Sequence, residues 1–210
     1  MKSFRHNFPR FLVSLGLLAA MLTAHAADPK AARYYEDALG RFDRQDFAGA
    51  VLQLKNVLQI EPNMLAAQML LGKALLGHGD PVGAEVALDT ALKLGVNRVE
   101  VLPLLGQAYL RQGKYVALLE RVTPGGLPPA VQLEVLVLRA NAEAENGNPK
   151  QALKTLAEAQ SLDGRSVQVR LAQAATYVRM GDLARASAVT DEAAALAPND
   201  AFVWNNRASI

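Results

Sequence analysis

The sequence of 210 residues contains no cysteine. A chain without cysteine forms no disulfide framework, binds no metal ion through thiolates and has no cysteine nucleophile. The absence also excludes lipidation at a cysteine beside a signal-peptide cleavage site, which is one route to membrane attachment. Disulfide-stabilised proteins, thiolate metal sites and cysteine-dependent enzymes are therefore excluded.

Groups suited to catalysis are scarce as well. Of three histidines, His6 and His25 lie in the N-terminal leader described below, which leaves His78 alone in the rest of the chain. A general base needs a positioned nucleophile and an orienting partner, so a lone histidine is typical of a solvated surface. The neighbouring Glu143 and Glu145 are interpreted as a solvated helix face, because a glycosidase dyad requires two carboxylates across a cleft. We predict a non-enzyme with no catalytic residue, no metal site and no cofactor.

Aromatic residues make up only 6% of the chain, whereas 51% of it is hydrophobic. The hydrophobic residues are mostly alanine and leucine, which are among the strongest helix formers. This composition predicts an all-α protein.

The N-terminus has the pattern of a signal peptide. Lys2, Arg5 and Arg10 precede an apolar run from Phe11 to Leu22, which is followed by Ala24-His25-Ala26. As a helix this run would span about 18 Å, well short of the roughly 30 Å hydrocarbon core of a bilayer. We therefore predict a signal peptide over residues 1–26 with cleavage after Ala26, export to the periplasm, and no stable transmembrane anchor afterwards.

Removing this leader reverses the sign of the net charge. The leader holds three of the 22 basic residues and none of the 20 acidic ones, so the remainder carries 19 basic and 20 acidic residues, a formal charge of −1. No excess of positive charge remains that would indicate binding to nucleic acid.

A repeat with a period of 34 residues is the strongest pattern in the chain. Glycines recur at this interval and are predicted to end the first helix of each repeat at a tight turn. Small residues at two further positions allow close packing of the two helices of a repeat, and acidic or amide residues after each turn are candidate N-caps. The glycines are Gly79, Gly113, Gly147 and Gly181; the small residues are Ala38, Gly72, Gly106, Ala140 and Ala174, and Ala50, Ala84, Ala152 and Ala186 with Leu118 in the same series; the caps are Asp46, Asp80, Asn148 and Asp182.

These residues resemble the tetratricopeptide repeat (TPR) family. The unit containing Leu71-Gly72, Leu75, Gly79-Asp80, Ala84, Leu88 and Ala91 follows its consensus closely. The resemblance implies an all-α superhelical solenoid of antiparallel helix pairs over residues 27–210, expected to continue beyond Ile210. The units are predicted at approximately 31–64, 65–98, 99–132, 133–166 and 167–200, with a sixth beginning at 201.

A narrower resemblance is carried by four stretches that are similar to the N-terminal repeats of the large TPR protein of PEP-CTERM/exosortase systems. That resemblance implies a role in envelope protein sorting and exopolysaccharide production. Members of the family are often lipoproteins, and this chain departs from them because it has no cysteine. The stretches are Tyr34-Tyr35-Glu36-Asp37-Ala38-Leu39, Ala50-Val51-Leu52-Gln53-Leu54-Lys55-Asn56, Leu71-Gly72-Lys73-Ala74-Leu75-Leu76 and Leu94-Gly95-Val96-Asn97-Arg98.

One unit breaks the pattern. Its second helix begins at Tyr115 and is predicted to stop at Thr123-Pro124-Gly125-Gly126-Leu127-Pro128-Pro129, because these prolines and glycines do not continue a helix. Two interpretations remain open: a tolerated surface loop, or a local bend that reshapes a binding groove.

Equivalent positions of successive first helices are predicted to stand roughly 10 Å apart on a concave surface. Two polar rows on that surface, together with the aromatic Tyr35, are candidate contacts for a protein or peptide partner of the cell envelope; the alternative is that they are ordinary solvent-facing residues. Leu76 and Leu110 are expected in the groove wall, and Phe42 in either the groove or the core. The rows are Lys73, Gln107 and Asn141, and Arg111, Glu145 and Arg179.

Three functions are consistent with the sequence. The first is an exported scaffold that binds proteins of a sorting or exopolysaccharide system. The second is the TPR portion of a longer enzyme such as a glycosyltransferase, since fold alone does not determine function. The third is a structural module of outer-membrane assembly.

Overall fold

The computed structural model describes residues 28–208. The predicted signal peptide at residues 1–26 lies outside these described residues. Within them the secondary structure is entirely helical, and eleven helices follow one another with short connections. They are α1 (Pro29–Asp43), α2 (Phe47–Ile60), α3 (Leu65–His78), α4 (Pro81–Lys93), α5 (Arg98–Arg111), α6 (Tyr115–Arg121), α7 (Pro129–Glu145), α8 (Pro149–Leu162), α9 (Val167–Arg179), α10 (Leu183–Leu196) and α11 (Ala201–Ala208).

The helices pack as consecutive antiparallel pairs, α1 with α2, α3 with α4, α5 with α6, α7 with α8 and α9 with α10, and α11 rests on α10. The first helix of each pair also contacts the first helix of the next, from α1 through α3, α5 and α7 to α9. Continuous contact along the first helices makes them the inner layer of a right-to-left stack in which each pair touches its neighbours. The prediction of an all-α solenoid of helix pairs is confirmed.

Each first helix ends at a residue in the left-handed region. The four periodic glycines have φ values of 85° at Gly79, 68° at Gly113, 84° at Gly147 and 74° at Gly181. The first pair makes the same turn without glycine, because Gln45 occupies the equivalent position with a φ of 61°. A side chain at positive φ is strained, so this turn is conformationally less favourable than the other four.

The predicted N-caps are present in three of four cases. The carboxylates of Asp46, Asp80 and Asp182 accept hydrogen bonds from the backbone amides three residues ahead, at 3.0, 2.8 and 3.0 Å. Asn148 was predicted to do the same, and this is wrong: it makes no side-chain cap bond, and its amide nitrogen instead donates to the Asn146 carbonyl oxygen at 3.4 Å. Its amide side chain is turned back toward the preceding turn.

Small residues permit the close approach of paired helices. Gly72 on α3 lies against Leu88 on α4, and a Cβ atom added to Gly72 would stand 2.6 Å from a Leu88 methyl carbon. The other predicted small residues on the first helices are also buried, as are the alanines of the second helices and Leu118. The core is therefore a continuous series of small-to-large contacts between helices rather than one central cluster.

The proline- and glycine-rich loop shortens α6 to seven residues. The following helix compensates because α7 begins at Pro129 and runs for 17 residues. Arg139 on α7 donates from Nη1 to the carbonyl oxygens of Leu119 and Val122, at 2.6 and 3.1 Å, which satisfies the end of the short helix. The next turn thereby keeps its place at Gly147, and the effect of this loop on groove shape stays a prediction.

Among the described residues, no helix is long and apolar enough to cross a membrane.

Candidate partner-binding groove

Three cavities lie along the inner layer of first helices. We call them the N-terminal cavity, between α1, α3 and the start of α5; the central cavity, between α5, α7 and α9; and the C-terminal cavity, between α7 and α9 near the start of α11. Their volumes are about 510, 400 and 500 Å³ respectively. Together they make the inner face a groove with separate subsites.

The N-terminal cavity is mainly apolar. Tyr35 and Lys73, both predicted from the sequence, line it, and partial burial raises the pKa of the Tyr35 phenol. Glu100 lines the cavity opposite in charge to Lys73. The remaining lining is mostly aliphatic and comes from Leu39, Leu65, Ala66, Met69, Leu70 and Val96 with Gly95 and Asn97. A site of this composition accommodates an apolar side chain with a charged rim.

The central cavity brings four predicted residues together. Arg111 on α5, Asn141 and Glu145 on α7, and Arg179 on α9 all line it. Their 34-residue spacing places them on successive first helices, and the inner-layer contacts of those helices bring them to one cavity. Leu110, Tyr115, Ala144, Ala175 and Thr176 complete its lining.

The charges in the central cavity are unequal. The Arg179 guanidinium and the Glu145 carboxylate form an ion pair between α9 and α7. Arg111 donates from Nη1 to the Leu76 carbonyl oxygen at 2.6 Å and pairs with no carboxylate within residues 28–208. The cavity therefore carries a formal charge of +1 from two arginines and one glutamate, and it resides on Arg111.

The C-terminal cavity is apolar apart from its rim. Asn141 and Ala175 line both this cavity and the central one, so the two are continuous. Its walls are Val137, Val167, Leu171 and Ala172, with Gln168 and Asp200 at the edge.

Other predicted groove residues lie elsewhere. Gln107 is half-buried on α5 and lines none of these three cavities. Leu76 is buried, and Leu110 lines the central cavity as expected of a groove wall. Phe42 packs edge-to-face on Phe47 with ring centroids 5.5 Å apart, so it belongs to the packing between α1 and α2.

Sequence reasoning missed most of the apolar lining. Met69, Val137 and Leu171 follow Tyr35 at multiples of 34 residues, and each lines one of the cavities. Extending the Tyr35 position along the repeat identifies this apolar row. Polar residues were favoured in the prediction because exposed apolar positions in a helix resemble core positions when only one sequence is read.

The interpretation of Glu143 and Glu145 as one solvated face is wrong. Glu143 is buried, and its carboxylate accepts a hydrogen bond from the Thr155 hydroxyl at 2.7 Å. Glu145 is exposed and paired with Arg179. Two residues apart on a helix, the side chains point to different sides, one toward α8 and one into the groove.

Side chains suited to chemistry do not gather in the part of the chain that the structure describes. No group of three or more histidine or acidic side chains there could hold a metal ion. His78 is exposed at the end of α3, beside the Gly79 turn. The arrangement of the groove is one of shape, apolar surface and a few polar groups, which is the composition of a binding site.

A sequence model of the family described as tetratricopeptide repeat matches residues 41–108 and 143–210. Among solved structures, the fold is similar to that of MamA, residues 41 to the end, from Desulfovibrio magneticus RS-1, with a TM-score of 0.67, 22% identity, and coverage of 84% of this chain and 99% of that one. A thermophilic TPR protein from Thermus thermophilus gives a TM-score of 0.63 at 19% identity, covering 85% of this chain and 97% of its own.

The fold is also similar to that of YrrB, a TPR protein with an unusual peptide-binding site, with a TM-score of 0.59, 16% identity, and coverage of 87% of this chain and all 100% of that one. No curated protein sequence matches the chain significantly. At these identities the structural similarities establish the fold.

Proposed function

Because this chain belongs to the tetratricopeptide repeat family, we propose that it is a scaffold that holds a protein or peptide partner in the groove of its first helices. The observation that carries this proposal is the row of three cavities along the inner layer, which places Tyr35, Lys73, Asn141 and Arg111 on one surface. Solenoids use such extended concave surfaces for binding. The peptide-binding site of YrrB, which has a similar fold, supports the same use of this groove.

The proposed setting is the periplasm of a Gram-negative cell, in envelope protein sorting or exopolysaccharide production. Two sequence features support it: the leader over residues 1–26, and the resemblance of four stretches to the TPR protein of PEP-CTERM/exosortase systems. The partner is accordingly proposed to be a protein of the cell envelope.

Crosslinking and affinity purification of the exported protein from a Gram-negative host test this proposal. The informative variant combines Tyr35→Ala, Lys73→Ala and Asn141→Ala, which removes one or two contacts from each cavity. We expect the same envelope proteins of a sorting or exopolysaccharide system to be recovered with wild type and lost with this variant. Far-UV circular dichroism verifies that the variant keeps its helices.

Two substitutions outside the cavities are controls. Gln107→Ala changes a half-buried polar residue of the same inner layer, and Lys55→Ala changes an exposed residue of the outer helix α2. Both are expected to retain the partners. Equal recovery by all variants would place binding outside the groove. Recovery of no specific protein would instead favour a structural module or the TPR portion of an enzyme.

A further inference from the structure

We propose that the central cavity is a carboxylate-binding subsite, and that the partner segment presents an acidic group to Arg111 with apolar side chains on both sides of it. The inference rests on the proposed use of the groove and specifies which chemistry the groove selects. It follows from the charge, the unused hydrogen-bond donors and the order of the three cavities.

The first step is the charge of Arg111. Within the central cavity, Glu145 is already neutralised by Arg179, which leaves the guanidinium of Arg111 without a counter-ion among the described residues. One of its N–H groups is used by the Leu76 carbonyl oxygen, a contact that also fixes the side chain on the groove wall. A guanidinium has five N–H donors, so the others remain free for a carboxylate.

The second step concerns two neutral donors in the same cavity. The amide of Asn141 and the phenol of Tyr115 line it, and neither has a hydrogen-bond partner within residues 28–208. Leu110, Ala144 and Ala175 form its apolar walls. Apolar walls reduce competition from water and strengthen a charge-assisted hydrogen bond, so three unused donors at one place fit an anionic oxygen group.

The third step is the order of the subsites. The N-terminal cavity and the C-terminal cavity are lined mainly by aliphatic side chains, whereas the positive charge lies between them. First helices stand roughly 8–10 Å apart, so two steps from α3 to α7 span about 20 Å, or about six residues of extended chain. The C-terminal cavity adjoins the central one through Asn141 and Ala175. An extended segment with an acidic residue between two apolar residues matches this order.

A random dodecapeptide library displayed on phage and selected on the immobilised protein tests the inference. We expect the selected peptides to be enriched in aspartate or glutamate with apolar residues at a fixed distance. Selection on Arg111→Gln is expected to lose the acidic enrichment while the apolar preference remains. Arg165→Gln, in the exposed loop between α8 and α9, makes the same change in net charge away from the groove and is the control.

Affinities of one selected peptide, measured by fluorescence anisotropy, make the test quantitative. Arg111→Gln is expected to weaken binding roughly 10- to 100-fold, as for the loss of a charge-assisted hydrogen bond. Glu145→Gln releases Arg179 and is expected to tighten binding several-fold, a gain that a folding defect does not produce. Glu120→Gln, an exposed residue on α6, is the matched control for that charge change.

The source of the carboxylate is identified with the same peptide. If replacing its aspartate by asparagine abolishes binding, the side chain is the ligand; if amidation of its C-terminus does so, the terminus is. Either result supports the subsite. Selected peptides without acidic enrichment, or equal affinities for wild type, Arg111→Gln and Glu145→Gln, would overturn the inference and leave the groove proposal standing. Failure to select any peptide would refute both.

Discussion

Arg121 on α6 and Asp89 on α4 form a two-bonded ion pair between successive helix pairs. The guanidinium donates from Nη2 and Nη1 to the two carboxylate oxygens at 2.7 and 3.1 Å. Hydrogen bonding to Asp89 raises the pKa of the Arg121 guanidinium, which also lies 5.6 Å from the Tyr109 ring centroid. This relationship fixes the shortest helix of the solenoid to its neighbour.

We expect Arg121→Gln to lower the free energy of unfolding by about 1 kcal/mol, since a two-bonded but partly exposed pair is worth little more than that. Urea unfolding followed by circular dichroism measures the change. Arg185→Gln, which removes a pair with Asp182 only three residues away, is expected to have a smaller effect. An equal effect of both substitutions would show that the contact between helix pairs has no special role.

Gln45→Gly is expected to stabilise the protein by roughly 0.5–1 kcal/mol. Gln45 stands at φ 61°, where a side chain is strained and glycine is not, and the four equivalent turns already have glycine. The control is Arg44→Gly, because Arg44 has a φ of −86° and gains nothing from the change. Thermal and urea unfolding measure both variants, and a stabilisation by Arg44→Gly equal to that of Gln45→Gly would contradict the explanation.

Gly72→Ala is expected to destabilise the protein by about 1–3 kcal/mol despite the better helix propensity of alanine. The new methyl group would stand 2.6 Å from a carbon of the fully buried Leu88. Gly106→Ala is the matched control, since its nearest neighbour, a Leu138 methyl carbon, lies at 3.0 Å.

The double variant Gly72→Ala with Leu88→Val tests the cause directly. Relief of the overlap predicts that the double variant loses less stability than the sum of the two single variants. Strict additivity in urea unfolding would mean that the cost of Gly72→Ala arises elsewhere.

Asp46→Asn is expected to change how stability depends on pH. Hydrogen bonding from the Gly49 amide, and then from Arg41, lowers the pKa of the Asp46 carboxyl below its usual value. The contribution of the charged form is therefore present above the unfolded-state pKa and is lost as the pH falls through the lower folded-state pKa. Asparagine keeps an N-cap acceptor, so the substitution isolates the charge.

The difference in Tm between wild type and Asp46→Asn should accordingly be largest near neutral pH and vanish in strong acid. Asp182→Asn is expected to behave in the same way, because hydrogen bonds from Arg185 lower the pKa of Asp182. Asp43→Asn, at the exposed end of α1, is the control. A difference in Tm that does not change between neutral and acidic pH would contradict the role of the charge.

Much of the groove followed from the repeat. Residues 34 apart occupy equivalent places, so Arg111, Glu145 and Arg179 were correctly placed on one face, and they meet in one cavity. The same reasoning failed for Gln107, which shares a row with Lys73 and Asn141 but lines none of the three cavities. A period specifies equivalent helix faces, whereas the cavities depend on how far each helix pair tilts and how large its neighbours are.

By itself the sequence determined the features that depend on local conformation. Gly79 and its equivalents end the first helices because glycine adopts positive φ at no steric cost, and Asp80 caps α4 through a bond that spans three residues. Composition and period likewise determined the all-α solenoid, because alanine and leucine at these spacings bury themselves only between helices.

Only the tertiary structure decided which polar groups meet across helix pairs. Glu143 and Glu145 are near neighbours in sequence, yet one is buried against Thr155 and the other pairs with Arg179 in the groove. Arg139 reaches the end of α6, and Arg111 keeps its charge unpaired, because of distances between helices that no single helix specifies. Those distances are set by packing of side chains between pairs, and the charge of the groove follows from them.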